Sequence, residues 1–290
     1  MKVLISTDTS CLINYEVLEK YPISVFNLNV IIDNQEYLDG ITIKQDFLLQ
    51  EMTANKVIKT STPPLGMVIE YFEALFEKGY DKIIHFTISS KLSSMYSLFT
   101  TVSKNYFDDK VIVIDGYSVS SLMLSHVLFA YDEVLKGTEP EVIKDLIEER
   151  KQLNSIVYFI PNNLTALKNG GRISPALAAI GNTIGLKPVI LLKDGELVKD
   201  SMTRTTKKAF FDKISSLKET HSNSEYDYTL VDFGGNEAIV NSIYEYATSS
   251  LGVEPLKGLI PINVCAHCGP GTIGFVVSPK INGKSIRDFI

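Results

Sequence analysis

Cysteine is scarce: Cys11, Cys265 and Cys268 are the only three in 290 residues. Three thiols do not make a disulfide framework, and they suit a reducing compartment. Positive charge is not in excess either. The 28 Lys and Arg against 34 Asp and Glu leave a formal net charge of −6 and a pI near 5.4. A broad nucleic-acid footprint needs clustered Lys and Arg, so no DNA or RNA partner is expected. No export leader is legible, because Met1-Lys2-Val3-Leu4-Ile5-Ser6-Thr7-Asp8 meets an acidic residue too soon for an apolar region. The uncharged stretch between Arg172 and Lys187 is interrupted by Pro175, Gly181 and Gly185. It is also too short for a span of ~20 apolar residues. No phosphate-binding Gly-X-X-X-X-Gly-Lys-Ser/Thr loop and no Gly-X-Ser-X-Gly nucleophile elbow occurs. A cytoplasmic monomer without metal, cofactor or stable membrane insertion is expected.

Hydrophobic residues make up 45% and charged ones 21%, an ordinary globular balance. In the first half, short apolar runs alternate with amphipathic stretches. Val3–Ile5, Ile23–Val30, Ile83–Ile88 and Val111–Ile114 read as strands. Ile13–Tyr21, the run after Pro64, Leu92–Asn105 and Ser118–Leu135 read as helices. Residues 31–43, with Asp33-Asn34 and Asp39-Gly40, read as a small β insert. This alternation predicts an α/β fold with a three-layer α/β/α domain and a parallel sheet over residues 1–153. Ligands of such sheets sit beyond the carboxyl ends of the strands, here Asp8, Ser89-Ser90 and Asp115. Residues 154–290 mix helices with a hairpin signal at Lys193-Asp194-Gly195, which predicts a second α/β domain with a mixed sheet. The strand expected from Leu259 to Val264 leads into a glycine-rich turn.

Three segments carry chemistry. Thr60-Ser61-Thr62 places hydroxyls just before a helix. Ser89-Ser90-Lys91-Leu92-Ser93-Ser94 repeats that arrangement. Capping explains one hydroxyl at each helix start. The surplus can donate to an anion, which free N–H groups and the helix dipole also attract. The third segment is Ala266-His267-Cys268-Gly269-Pro270-Gly271, where glycines let the backbone approach a ligand closely. Cys265 and Cys268 flank His267, and a redox or zinc role stays open on spacing alone.

In this order and spacing the segments resemble the DegV family of fatty-acid-binding proteins, over nearly the whole chain. Thr7-Asp8-Thr9-Ser10, Tyr37-Leu38-Asp39-Gly40, Thr60-Ser61-Thr62-Pro63, Ser89-Ser90-Lys91-Leu92-Ser93-Ser94-Met95-Tyr96, Gly170-Gly171-Arg172-Ile173 and Arg204-Thr205-Thr206-Lys207 all have counterparts. The resemblance implies one long-chain fatty acid in an apolar tunnel between two domains. It implies a carboxylate held by Thr60, Ser93 and His267, with Ser61, Thr62, Ser94 and Gly269 beside them. Arg172 and Arg204 match basic residues that face the phosphorylated carboxyl or a separate fatty-acid kinase, whose product enters phospholipid synthesis. The resemblance implies a carrier without turnover of its own. The competing reading is an acyl-transfer or esterase enzyme using Ser93 and His267. Thr62 stands where the family has glutamine, Ser94 where it has glycine and Cys268 where it has threonine. Ala176 to Ile180, Ile184, Leu186 and Val276 are the candidate tunnel lining.

Overall fold

A computed structural model describes residues 1–14, 16, 18–162, 164–180 and 186–290. The first part of the chain runs β1 (Val3–Asp8), β2 (Ile23–Phe26), β3 (Asn29–Ile32), β4 (Gln35–Leu38), α1 (Gln45–Thr53), β5 (Ile58–Ser61), α2 (Leu65–Phe76), β6 (Lys82–Thr87), α3 (Met95–Tyr106), β7 (Val111–Asp115), α4 (Ser120–Leu135) and α5 (Pro140–Arg150). The rest runs β8 (Ile156–Ile160), α6 (Thr165–Asn169), α7 (Pro175–Ile180), β9 (Lys187–Lys193), β10 (Glu196–Thr203), α8 (Thr206–Thr220), β11 (Tyr226–Phe233), α9 (Glu237–Leu251), β12 (Leu256–Leu259), α10 (Ile262–Cys268) and β13 (Thr272–Pro279).

The α/β class holds. The parallel sheet has the order β2-β1-β6-β7. The second sheet, β10-β9-β8-β13-β11-β12, is mixed: only β11 and β12 pair in parallel. Its β9–β10 hairpin turns at Asp194 and Gly195, both with positive φ (51° and 80°), as Asp-Gly predicts. Helix α4 packs against β1 of one sheet and β13 of the other. Every residue from Ser120 to Ala130 is therefore buried. One core cluster runs through both halves, joining Ile5, Phe86 and Val127 to Val231, Phe233 and Cys265. Among the described residues, no helix is long and apolar enough to cross a membrane.

The chain departs from the sequence reading mainly at short elements. Ile13–Tyr21 is not a helix among its described residues. A 3-10 turn at Thr9–Cys11 passes into further turns, and Asn14 takes the Glu16 N–H on its side chain at 2.9 Å. Such local bonds compete with helix formation. Ile23–Val30 divides at Asn27-Leu28 into β2 and β3, which belong to different sheets. The insert gains a third strand, because β5 pairs with β3 and places Thr60 opposite Val30. The segment Leu259–Val264 is not one strand: β12 ends at Leu259, and α10 begins after Pro261.

Candidate functional site

Thr60 does not cap a helix. It lies on β5, and α2 begins four residues beyond Ser61 with Pro64 at its N-cap and no side-chain cap bond. The Thr60 hydroxyl is instead hydrogen-bonded to His267 Nε2 at 2.9 Å, across 207 residues of sequence. Thr60 and Ser93 therefore come from different sheets, not from two helix starts on one sheet edge.

The serines after β6 divide their work. The Ser89 hydroxyl donates to Gly195 O at 2.6 Å, which docks the β9–β10 hairpin on the parallel sheet. A side chain at Gly195 would meet that hydroxyl, since its Cβ would lie 2.6 Å from Ser89 Oγ. Ser93 Oγ accepts the Met95 N–H at 3.4 Å, a weak turn bond that leaves the hydroxyl proton free to point elsewhere. Ser94 bonds Thr62 through their hydroxyls at 2.8 Å, at the exposed rim.

His267 sits on α10, a short helix rather than a turn, which ends at Gly269 with φ 79°. The imidazole packs against the chain at Gly170, where an added Cβ would lie 2.3 Å from Nδ1. Glycine is thus required at 170 by close approach. Burial, then the Arg172 charge, pushes the His267 pKa down to about 4, so the ring is neutral at pH 7. Arg172 donates from Nε to Leu92 O at 3.2 Å and from a terminal nitrogen to Gly170 O. It thereby ties the turn beside His267 to the loop carrying Ser93.

Thr60, Ser61, Thr62, Ser93, Arg172 and His267 all line one cavity. Its empty volume is about 1140 Å³, the space open to solvent at its mouth included. The remaining wall is mostly aliphatic: Leu28, Ile88, Leu92 and Val119 from the first half, and Val157, Leu192, Leu197, Val264 and Val276 from the second. Ser94, Gly269 and Arg204 are not among the lining residues. Arg204 is exposed between β10 and α8, so the structure does not bring it to Arg172.

Of the expected tunnel residues, Val276 lines the cavity. Leu177 and Ala178 pack instead in a small cluster with Leu164, Leu167, Ile173 and Ile190, of which Leu167 also lines the cavity. Their helix, α7, packs on α6, so burial there needs no ligand. Ala179 and Leu186 also lie off the wall. The side chains of Ala176 and Ile180, and all of Ile184, fall outside the described residues. Sequence reasoning missed Asn29, Ser120, Tyr158 and Asn263, which also line the cavity. Asn263 precedes His267 by four residues, a spacing that helix periodicity would have flagged. Cys265 and Cys268 are free and buried, and burial holds the Cys265 thiol well above its ordinary pKa. Thiolate chemistry is thereby suppressed. Among the described residues, no group of three or more His, Cys, Asp or Glu is placed to hold a metal.

A mostly aliphatic cavity lined by residues from around both sheets, with a neutral histidine and hydroxyls in its wall, has the make-up of a small-molecule binding site. The DegV family model matches residues 2–280, and the chain belongs to that family. A DegV domain-containing protein of Clostridium acetobutylicum is 26% identical over 287 residues, covering 96% of this chain and 99% of the relative. The crystal structure of DegV from Bacillus subtilis, a fatty acid binding protein, superposes with a TM-score of 0.85 at 26% identity, covering 97% of this chain and 100% of that one. A DegV lipid binding protein of Thermotoga maritima gives 0.82 at 26% identity, with 96% and 99% coverage.

Proposed function

We propose that this chain is a carrier that holds one long-chain fatty acid in the cavity. The acyl chain lies on the aliphatic wall, and the carboxylate meets Thr60, Ser93 and His267. The observation that carries this reading is the Thr60–His267 hydrogen bond in the wall of a mostly aliphatic cavity. The energetics agree. Burying each CH₂ is worth ~0.8 kcal/mol, so about fifteen give on the order of 12 kcal/mol gross. Association and ordering remove roughly 4 kcal/mol or more. Tight binding therefore needs an apolar tunnel and no strong charge pair. Hydroxyl donors, a neutral imidazole and one partly committed arginine suit that requirement.

The carrier reading is favoured over an acyl-transfer enzyme by the pairing of His267. Its Nε2 faces Thr60, and no hydrogen bond joins it to Ser93 among the described residues. A nucleophile needs its base within reach. We further propose two domains dividing near residue 153, between α5 and β8, and a cytoplasmic location. A separate fatty-acid kinase receives the bound acid, and the acyl phosphate passes to phospholipid synthesis. Arg172 then orders the mouth, and exposed Arg204 faces the kinase.

Native mass spectrometry of the purified protein, followed by organic extraction, tests the ligand. A co-purifying species of fatty-acid mass is expected. Empty protein that ignores added palmitate and oleate would sink the reading. Arg204→Ala is expected to leave palmitate binding intact and to weaken phosphorylation by the kinase. Equal loss of both would remove the division of roles.

A further inference from the structure

A saturated chain needs no polar group beyond its carboxylate, yet the wall of the cavity contains buried polar atoms without partners. The best placed is on Asn263, the second residue of α10. Asn263 is 7% exposed and lines the cavity. Its Nδ2 donates to the buried Ser10 hydroxyl at 2.7 Å, and its Oδ1 has no partner among the described residues. His267 follows four residues later on the same helix face, about 6 Å along the axis at 1.5 Å rise per residue. Asn263 and His267 thus line the same cavity about one helical turn apart.

We propose that the cavity recognises a fatty acid hydroxylated close to its carboxyl, with Asn263 as the residue that binds the hydroxyl. The proposal rests on the fatty-acid reading of the cavity and narrows it. The chemistry favours a hydroxyl over other groups. The Ser10 hydroxyl both donates and accepts, so either end of the Asn263 amide can pair with it. Whichever end does, the other is left unpaired on a residue of the cavity wall. A ligand hydroxyl satisfies an amide oxygen by donating and an amide nitrogen by accepting. A methylene does neither, and it leaves a buried polar group desolvated.

The same wall holds a second atom of this kind. Ser120 is 4% exposed, lines the cavity and has an unpartnered Oγ. It adopts φ 57°, a left-handed conformation that is unusual for serine, at the first turn of α4. The interior is thus more polar at more than one point than an alkyl chain requires.

Isothermal titration of lipid-stripped protein tests the proposal with hexadecanoic, 3-hydroxyhexadecanoic and 16-hydroxyhexadecanoic acids. The 3-hydroxy acid is expected to bind at least tenfold more tightly than the plain acid, and the 16-hydroxy acid no more tightly than the plain one. In Asn263→Val the preference for the 3-hydroxy acid over the plain acid is expected to fall to within about twofold. Equal affinity of the wild type for the plain and 3-hydroxy acids overturns the proposal and assigns the amide to trapped water. A preference that survives Asn263→Val overturns it as well. The wild-type panel decides the matter even if the variant folds poorly. Binding of none of the three acids overturns the fatty-acid reading and this inference with it. Binding of the plain acid without a hydroxyl preference removes this inference alone.

Discussion

The chain gathers hydroxyls around a histidine twice, with opposite results. Around His85, the strands β2, β1 and β6 place Ser24, Ser6 and His85 side by side in register. Ser6 Oγ meets His85 Nδ1 at 2.8 Å and the Tyr71 hydroxyl at 2.7 Å, and Tyr71 donates to Ser24 at 2.8 Å. Phe99 stacks on the imidazole with ring centroids 4.3 Å apart, and Phe72 closes its edge. Around His267, Thr60 comes from a distant strand, Gly170 lies against the ring, and the imidazole also borders the cavity. Both rings are held neutral at pH 7 by burial, His85 with a pKa near 3 and His267 with one near 4. A histidine among hydroxyls is therefore no signature of a site. The free volume beside it is what separates a binding group from a core brace.

The largest effect expected from this contrast is at His85. His85→Ala removes a stacked ring and strands the Ser6–Tyr71 pair, which should cost about 3 kcal/mol in urea unfolding. Palmitate affinity of the folded fraction should not change. His267→Ala should do the reverse. Stability falls by about 1 kcal/mol, because one hydrogen bond is lost beside existing free space. Palmitate binding weakens about tenfold or more, since bonds to a charged group are worth ~1.5–3 kcal/mol and ~1.4 kcal/mol is a factor of ten. If the two variants lose stability equally and bind palmitate equally, the contrast between brace and site is broken.

Acid titration sharpens it further. Both histidines have folded pKa values below the ordinary 6.5, so the folded state favours the neutral ring. Their contribution to stability is complete above pH 6.5. For His267 it is lost as pH falls from 6.5 towards about 4, and for His85 as it falls towards about 3. A bound carboxylate beside His267 favours the charged imidazolium. Adding palmitate should therefore raise the His267 midpoint in an NMR titration and leave His85 where it was. A midpoint that moves at His85, or at neither ring, would place the carboxylate away from His267.

Legibility followed the length of the elements. The strand–helix alternation through β1, β6 and β7 and the Asp194-Gly195 hairpin were readable because period and turn chemistry act locally. The described residues of 13–21 were not, because the local Asn14 bond and the burial of Ile13 and Leu18 favour turns there. The four-residue β5 was hidden too, since only its pairing with β3 makes it a strand. At the site, Thr60, Ser93, Arg172 and His267 stood out by type and were brought to one cavity. The surplus hydroxyls proved useful for a different reason than expected. Ser89 docks a hairpin, and Thr60 is free of capping because α2 starts at Leu65 with Pro64 as its N-cap. Asn263 was hidden because Leu259–Val264 reads as a strand, which breaks its i, i+4 relation to His267 on α10.

The smallest effect is expected at the rim, and it bears on where the carboxylate sits. Thr62 and Ser94 are exposed, and their hydroxyls bond each other at 2.8 Å. Water replaces either partner at little cost, so Thr62→Ala should change stability by less than about 0.5 kcal/mol. Palmitate affinity should stay within about twofold, in contrast to the loss at His267. The double variant Thr62→Ala/Ser94→Ala should add no more than the sum of the single ones, because the pair has no buried partner to strand. If Thr62→Ala instead weakens palmitate binding as much as His267→Ala does, the carboxylate lies at the rim rather than beside the imidazole. The acyl chain would then enter less deeply, and the volume beside His267 would have to be occupied by something other than the headgroup.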